Sequence, residues 1–197
     1  MNEAALWVKI CGATTPDAVA GAIAAGADAV GFVFAPSVRR VTPAQAAQLA
    51  APARGRLRCV AVMQHPQTDE VAQVLAEFRP DVLQTDLQDL AALDLPATLE
   101  RLPVLRAGRE APASLPPRAV FEGPVSGAGV APDWAGAVAL RLRGVEILRE
   151  ANVDAAVRTV RPWGGDVSSG VERAPGIKDM ELIARFVAAA RAACREG

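Results

Sequence analysis

The chain has 197 residues, 51% of them hydrophobic, with a formal net charge of −1, enough to bury one good core and too little for two ordinary domains. No basic stripe runs through it, and 4% aromatic content without a tyrosine leaves little to stack on bases, which argues against nucleic acid as a partner. No signal-peptide segment opens it and nowhere do ~18 uncharged apolar residues run together, so the expectation is a soluble cytoplasmic protein that does not meet a membrane.

Taken in chain order, apolar strand-like segments alternate with helical ones. Residues Leu6–Cys11 read as a strand, Thr15–Ala25 as a helix and Ala29–Phe34 as a second strand. Thr42 before Pro43 supplies an N-cap and a good first residue for a helix to about Ala51. A strand over Leu57–Met63, a helix from about Thr68 to Phe78 and a strand over Asp81–Gln84 follow. Ala91–Leu102 reads as a short helix broken by Pro96, and Pro103–Arg106 as the fifth strand. The stretch from Gly108 to Pro117 holds three prolines and suits a loop or a single turn. Arg118–Glu122 gives a sixth strand, Trp134–Val138 a short helix, Ala139–Arg143 a seventh strand and Glu150–Val160 a helix. Gly165–Ser168 is the eighth strand, and Asp179–Cys194 the last helix.

Eight β-α units in one domain, residues 1–197, indicate a minimal (β/α)8 barrel with an irregular fifth unit. An open doubly wound sheet shares the same alternation and differs in closure. No GxGxxG follows the first strand and no GxxxxGK[ST] occurs, so dinucleotide and P-loop readings have nothing to rest on.

A parallel barrel keeps its chemistry at the C-terminal ends of its strands. The polar residues at those exits are Cys11, then Arg39 and Arg40, Gln64 and His65, Gln84 and Asp86, Glu122, and finally Asp166, Ser168 and Ser169. Period-two alternation places Lys9 and Cys11 on one face of the first strand, with Val8 and Ile10 on the other. Cys11 is then either a small buried hydrophobe or a reactive thiol at the barrel mouth. Lys9 sits one layer deeper, where a structural ion pair competes with a Schiff-base role. The three cysteines, Cys11, Cys59 and Cys194, lie far apart without CxxC spacing, which gives neither a disulfide framework nor a zinc site. With His65 the single histidine, a His-cluster metal site is ruled out.

Two cations at Arg39 and Arg40 suit a carboxylate or phosphate, or form an ordinary solvated pair. The run Gly123-Pro124-Val125-Ser126-Gly127-Ala128-Gly129 forms either a phosphate-embracing loop or a plain turn. Asp166-Val167-Ser168-Ser169-Gly170-Val171-Glu172 leaves the last strand before a helical turn, as a phosphate site or as an ST-turn.

These residues resemble the phosphoribosylanthranilate isomerase family. Lys9-Ile10-Cys11-Gly12 is similar to its N-terminal signature, and the run from Gly26 to Arg39 to its second strand and loop. Asp133-Trp134, Asn152-Val153, and Asp166–Glu172 with Pro175-Gly176 and Lys178-Asp179 complete a match that spans the chain in order. The resemblance implies an Amadori rearrangement of N-(5-phosphoribosyl)anthranilate with no metal and no cofactor, a small-molecule substrate, and a monomer or homodimer. It implies Cys11 as general base, a carboxylic acid at the end of strand six, here Glu122, as general acid, and Arg39 as partner of the anthranilate carboxylate. Gln84, Gly127, Gly129, Gly144, Asp166, Ser168, Ser169 and Gly170 are the further substrate-binding positions.

An ordinary thiol, with a pKa near ~8.5, needs neighbouring positive charge to act as a thiolate, and an acid with a pKa near ~4.3 needs burial or a neighbouring carboxylate to keep its proton. The chain departs from the family in three places. Glu122 stands where aspartate is usual, and its extra methylene moves the carboxyl by ~1.5 Å, a displacement of the size that costs ~100-fold in rate. The strand-seven loop, read over Leu142–Leu148, keeps only Gly144 of its paired glycines. The strand-four exit is Gln84-Thr85-Asp86-Leu87 in place of Gln-Leu-His-Gly. The alternatives are an indole-glycerol-phosphate-synthase-like lyase, a Schiff-base aldolase using Lys9, and a sugar-phosphate-binding barrel without turnover.

Overall fold

The computed structural model describes residues 6–110, 112–123, 134–150 and 160–193. Eight parallel strands close on themselves in sequence order: β1 (Trp7–Cys11), β2 (Ala29–Val33), β3 (Arg58–Val62), β4 (Val82–Asp86), β5 (Glu100–Arg106), β6 (Arg118–Glu122), β7 (Glu146–Glu150) and β8 (Gly164–Val167). Closure is made by β8 against β1, with Trp7 opposite Gly164 and Lys9 opposite Asp166. The helices α1 (Pro16–Ala25), α2 (Pro43–Ala50), α3 (Thr68–Glu77), α4 (Leu87–Ala92), α5 (Trp134–Leu142) and α6 (Met180–Ala193) lie between or after the strands. Local chemistry starts them where the sequence expects. Thr15 accepts from the Ala18 amide at the head of α1, and Thr42 and Gln45 form a reciprocal capping box on α2.

Alternation sorts the strand side chains into two environments. Val8, Ile10, Val30, Phe32, Cys59 and Leu83 face outward into the layer shared with the helices. Ala29, Val60, Val82, Leu102, Val104 and Val120 pack inside the barrel. The N-terminal end is closed by Trp7 stacked on Trp163 at 4.9 Å, with the Arg118 guanidinium 3.6 Å from the Trp163 ring centre.

Several expectations are corrected. The helix expected over Ala91–Leu102 is instead α4 (Leu87–Ala92), and Glu100 to Leu102 already belong to β5, because Pro96 separates helix from strand. The seventh strand does not lie over Ala139–Arg143. That segment continues α5, with Leu140 packed in the outer core, and the strand follows at Glu146–Glu150. Glu150 is therefore strand, not a helix start, and the rest of the helix expected there, from 151 to 159, lies outside the described residues. Between β8 and α6 the chain makes one 3-10 turn, Ser169–Val171, and a small hairpin of β9 (Glu172–Ala174) and β10 (Ile177–Lys178), which the sequence reading lacked.

The fifth unit is irregular, as expected: among the described residues no helix links β5 to β6. A cavity of about 340 Å³ occupies that side of the barrel, with Leu87, Leu105, Ala107, Phe121 and Leu140 among its walls.

Candidate active site

Cys11 ends β1 at the C-terminal mouth, 8% exposed. Its sulfur shares a small space with the Lys9 ammonium: a side chain added at Gly31 would meet the Cys11 sulfur at 3.2 Å and Lys9 Nζ at 3.3 Å. Glycine on the neighbouring strand thus lets thiol and ammonium lie together. Lys9 is fully buried and donates to Asp166 Oδ2 at 2.8 Å. Burial alone pushes its pKa down, but Asp166 and the Cys11 sulfur outweigh burial and raise it. The lysine is a fixed cation in an ion pair, one of the two roles open to it from the sequence, and the opposite of the neutral amine a Schiff-base enzyme requires.

A second buried cation approaches from the hairpin. Lys178 Nζ donates to the Ser168 carbonyl at 2.9 Å and to Glu172 Oε1 at 2.7 Å, and it too is coupled electrostatically to Cys11. Burial holds Lys178 below its ordinary value, against the pull of Glu172. Glu172 also receives Arg39, with Nε at 2.7 Å and Nη2 at 2.8 Å, a two-armed pair that uses two of the guanidinium's five N–H groups. Burial would raise the Glu172 carboxyl; Arg39 and Lys178 together bring it down to about 2. Arg39 lies across Gly12, whose φ of +76° lies in the left-handed region, and a Cβ there would stand 2.6 Å from Arg39 Cδ.

Across the barrel, Glu122 ends β6 directly opposite Arg106 of β5, whose Nη1 reaches Glu122 Oε2 at 3.4 Å. Arg106 is held more tightly by Asp86 at the end of β4, with Nε to Oδ1 at 2.6 Å and Nη2 to Oδ2 at 3.1 Å. Burial lowers the Arg106 pKa, and Asp86 and Glu122 raise it by more. Beside this group, Asp89 accepts from the His65 amide and from Thr85 Oγ1. Burial would lift the Asp89 carboxyl, whereas His65 and Thr85 bring it down.

Deeper in the barrel, Gln84 Oε1 and Asp166 Oδ1 are buried acceptors that no hydrogen bond among the described residues satisfies. Cys11, Arg39, Gln84, Glu122, Asp166, Ser168, Ser169 and Gly170 thus lie at or below one mouth. Gly144 does not. It turns the chain from α5 into β7 at the opposite end of the barrel, so its expected contact with substrate is corrected along with the strand that prompted it. Gly127, Gly129, Asp133, Asn152 and Val153 lie outside the described residues. Sequence reasoning missed the roles of Lys178, Glu172 and Arg106. Alternation from inward Val104 reaches Arg106, but nothing in the order of residues links Arg39 to Glu172, 133 positions away.

A closed (β/α)8 barrel with its ionisable side chains gathered at the C-terminal mouth is the architecture of a barrel enzyme. The model of the family described as N-(5'-phosphoribosyl)anthranilate (PRA) isomerase matches residues 8–189. The chain belongs to that family and is an isomerase of tryptophan biosynthesis. Its relatives include the N-(5'-phosphoribosyl)anthranilate isomerase of Nitrobacter hamburgensis, 38% identical over 95% of this chain and 94% of that protein. The isomerase of the same name from a Roseiflexus species is 39% identical, over 95% and 99%. Among solved structures, TrpF from Jonesia denitrificans has a TM-score of 0.76 at 32% identity, covering 96% of this chain and 98% of that one. The phosphoribosyl anthranilate isomerase of Thermus thermophilus has 0.79 at 26%, covering 93% and 98%.

Proposed function

We propose that Cys11 and Glu122 are the base and the acid with which this isomerase converts N-(5'-phosphoribosyl)anthranilate to 1-(2-carboxyphenylamino)-1-deoxyribulose 5-phosphate. Glu122 gives a proton to the furanose ring oxygen as its bond to the anomeric carbon breaks, and the lone pair of the anilino nitrogen forms the protonated imine. The Cys11 thiolate takes the proton from the adjacent sugar carbon, and the electrons move back toward nitrogen to leave an enol-amine. The enol hydroxyl then becomes the ketone as the former anomeric carbon takes up a proton.

The observation that carries this reading is the position of the Cys11 sulfur beside the Lys9 ammonium, with Lys178 as a second cation in its field. That is the positive surrounding a thiolate base needs. Arg39 takes the anthranilate carboxylate. Gln84 Oε1 and Asp166 Oδ1 are acceptors for sugar hydroxyls, and Ser168, Ser169 and Gly170 line the phosphate end. The enzyme works in the cytoplasm as a monomer or homodimer, a state that light scattering of the purified chain reads. Loss of phosphoribosylanthranilate fluorescence on addition of purified protein tests the activity, and an unchanged signal at high enzyme concentration overturns it.

A further inference from the structure

We infer that Asp86 is a positioning residue for the acid step, acting on Glu122 through Arg106. The inference rests on the reading of Glu122 as the acid. Three charged side chains stand in a row across the ends of β4, β5 and β6, and all are nearly dry: the side chains of Asp86 and Arg106 are each 6% exposed and that of Glu122 is 11%. Register puts Arg106 directly opposite Glu122, while Asp86 pairs with Val104, two residues earlier on β5, and so sits one inward step below the guanidinium.

The two carboxylates do not share Arg106 equally. Asp86 takes two arms at 2.6 and 3.1 Å, whereas the contact to Glu122 is longer, at 3.4 Å. The two-armed pair fixes the plane of the guanidinium. It also meets the guanidinium's charge. Without Asp86, Arg106 turns that charge on Glu122, and a carboxylate that serves as counter-ion to a buried guanidinium holds its negative charge and has no proton to give. The cation beside the acid is compatible with acid catalysis because a second carboxylate has already engaged it.

The test is steady-state kinetics on phosphoribosylanthranilate with binding of a reduced product analogue measured in parallel. Asp86→Asn lowers kcat by about 10- to 100-fold, a loss within the ~100- to 10,000-fold that an acid contributes, and leaves KM and analogue affinity within about threefold. Asp86→Asn combined with Arg106→Met removes the cation with its anion and restores kcat to at least about tenfold above the single variant. A merely structural Asp86 predicts a double variant no better than the single, and that result overturns the inference. So does an Asp86→Asn enzyme with normal kcat, or one whose loss appears in KM alone. If Asp86→Asn does not fold, Asp86→Ser removes the same charge: reduced kcat with KM held supports the inference, and normal kcat overturns it. A wild-type chain without turnover overturns the parent reading of Glu122; wild-type turnover with unimpaired Asp86 variants overturns this inference alone.

Discussion

Replacing Glu172 by glutamine removes a carboxylate that engages both Arg39 and Lys178. The side chain is 5% exposed, so solvent does little to screen it. Its carboxyl titrates at about 2 in the folded chain against an ordinary 4.5, a difference that corresponds to about 3 kcal/mol of folding free energy at neutral pH. The folded state binds this proton less readily than the unfolded one. The contribution is therefore complete above pH 4.5 and is lost as pH falls towards 2. The partners differ in sign. Lys178 is held below its ordinary value because burial outweighs Glu172, so the lysine costs stability at neutral pH and that cost is relieved on the alkaline side. Acid sensitivity is thus carried by Glu172, whose two cations outweigh its burial. Glu172→Gln is expected to lower stability at pH 7 by about 3 kcal/mol, or roughly 6–12 °C in Tm for a chain of this length. Urea unfolding followed by circular dichroism from pH 7 down to pH 2.5 measures it, and the gap between wild type and variant narrows below pH 4.5. A gap independent of pH, or one under about 1 kcal/mol at pH 7, refutes the reasoning.

Three further outcomes are expected. Cys11→Ser and Glu122→Gln each abolish turnover while a product analogue still binds with near-normal affinity; normal turnover in Glu122→Gln assigns the protonation to another acid. Gly12→Ala places a Cβ 2.6 Å from Arg39 Cδ at a φ of +76°, so it raises KM about tenfold or more and lowers stability by about 1–2 kcal/mol, read from fluorescence kinetics and thermal unfolding. Iodoacetamide at pH 8 inactivates the enzyme by labelling Cys11 and spares Cys59, whose thiol burial pushes up to about 11; peptide mapping that finds Cys59 labelled first contradicts this.

The fold was legible where one periodicity dominated. Arg118–Glu122 was read with its observed bounds because a clean apolar run lies between prolines and a glycine. Ala139–Arg143 misled because its Ala-Leu-Arg-Leu-Arg alternation satisfies the strand pattern as well as the helical one. The true strand, Glu146–Glu150, hid behind charges at both ends of its sequence, which break the apolar run by which a buried strand is recognised. The site divides in the same way. Lys9 and Cys11 follow from alternation within one strand, whereas the Arg39–Glu172–Lys178 group is assembled from β2's loop and the hairpin after β8, and only closure of the barrel brings them together.

Among the described residues, the outer apolar layer falls into two clusters. One joins α1, α2, α3 and α6 to the first four strands; the other packs α5 against β5, β6 and β7. Such a barrel is expected to open in two steps, with amides of β6 and β7 exchanging their hydrogens ahead of those of β1 to β3. The thiol then belongs to the part that persists and the carboxylic acid to the part that yields first. On gentle heating the enzyme would lose its acid while still holding its base, and activity would fade before the chain as a whole unfolds.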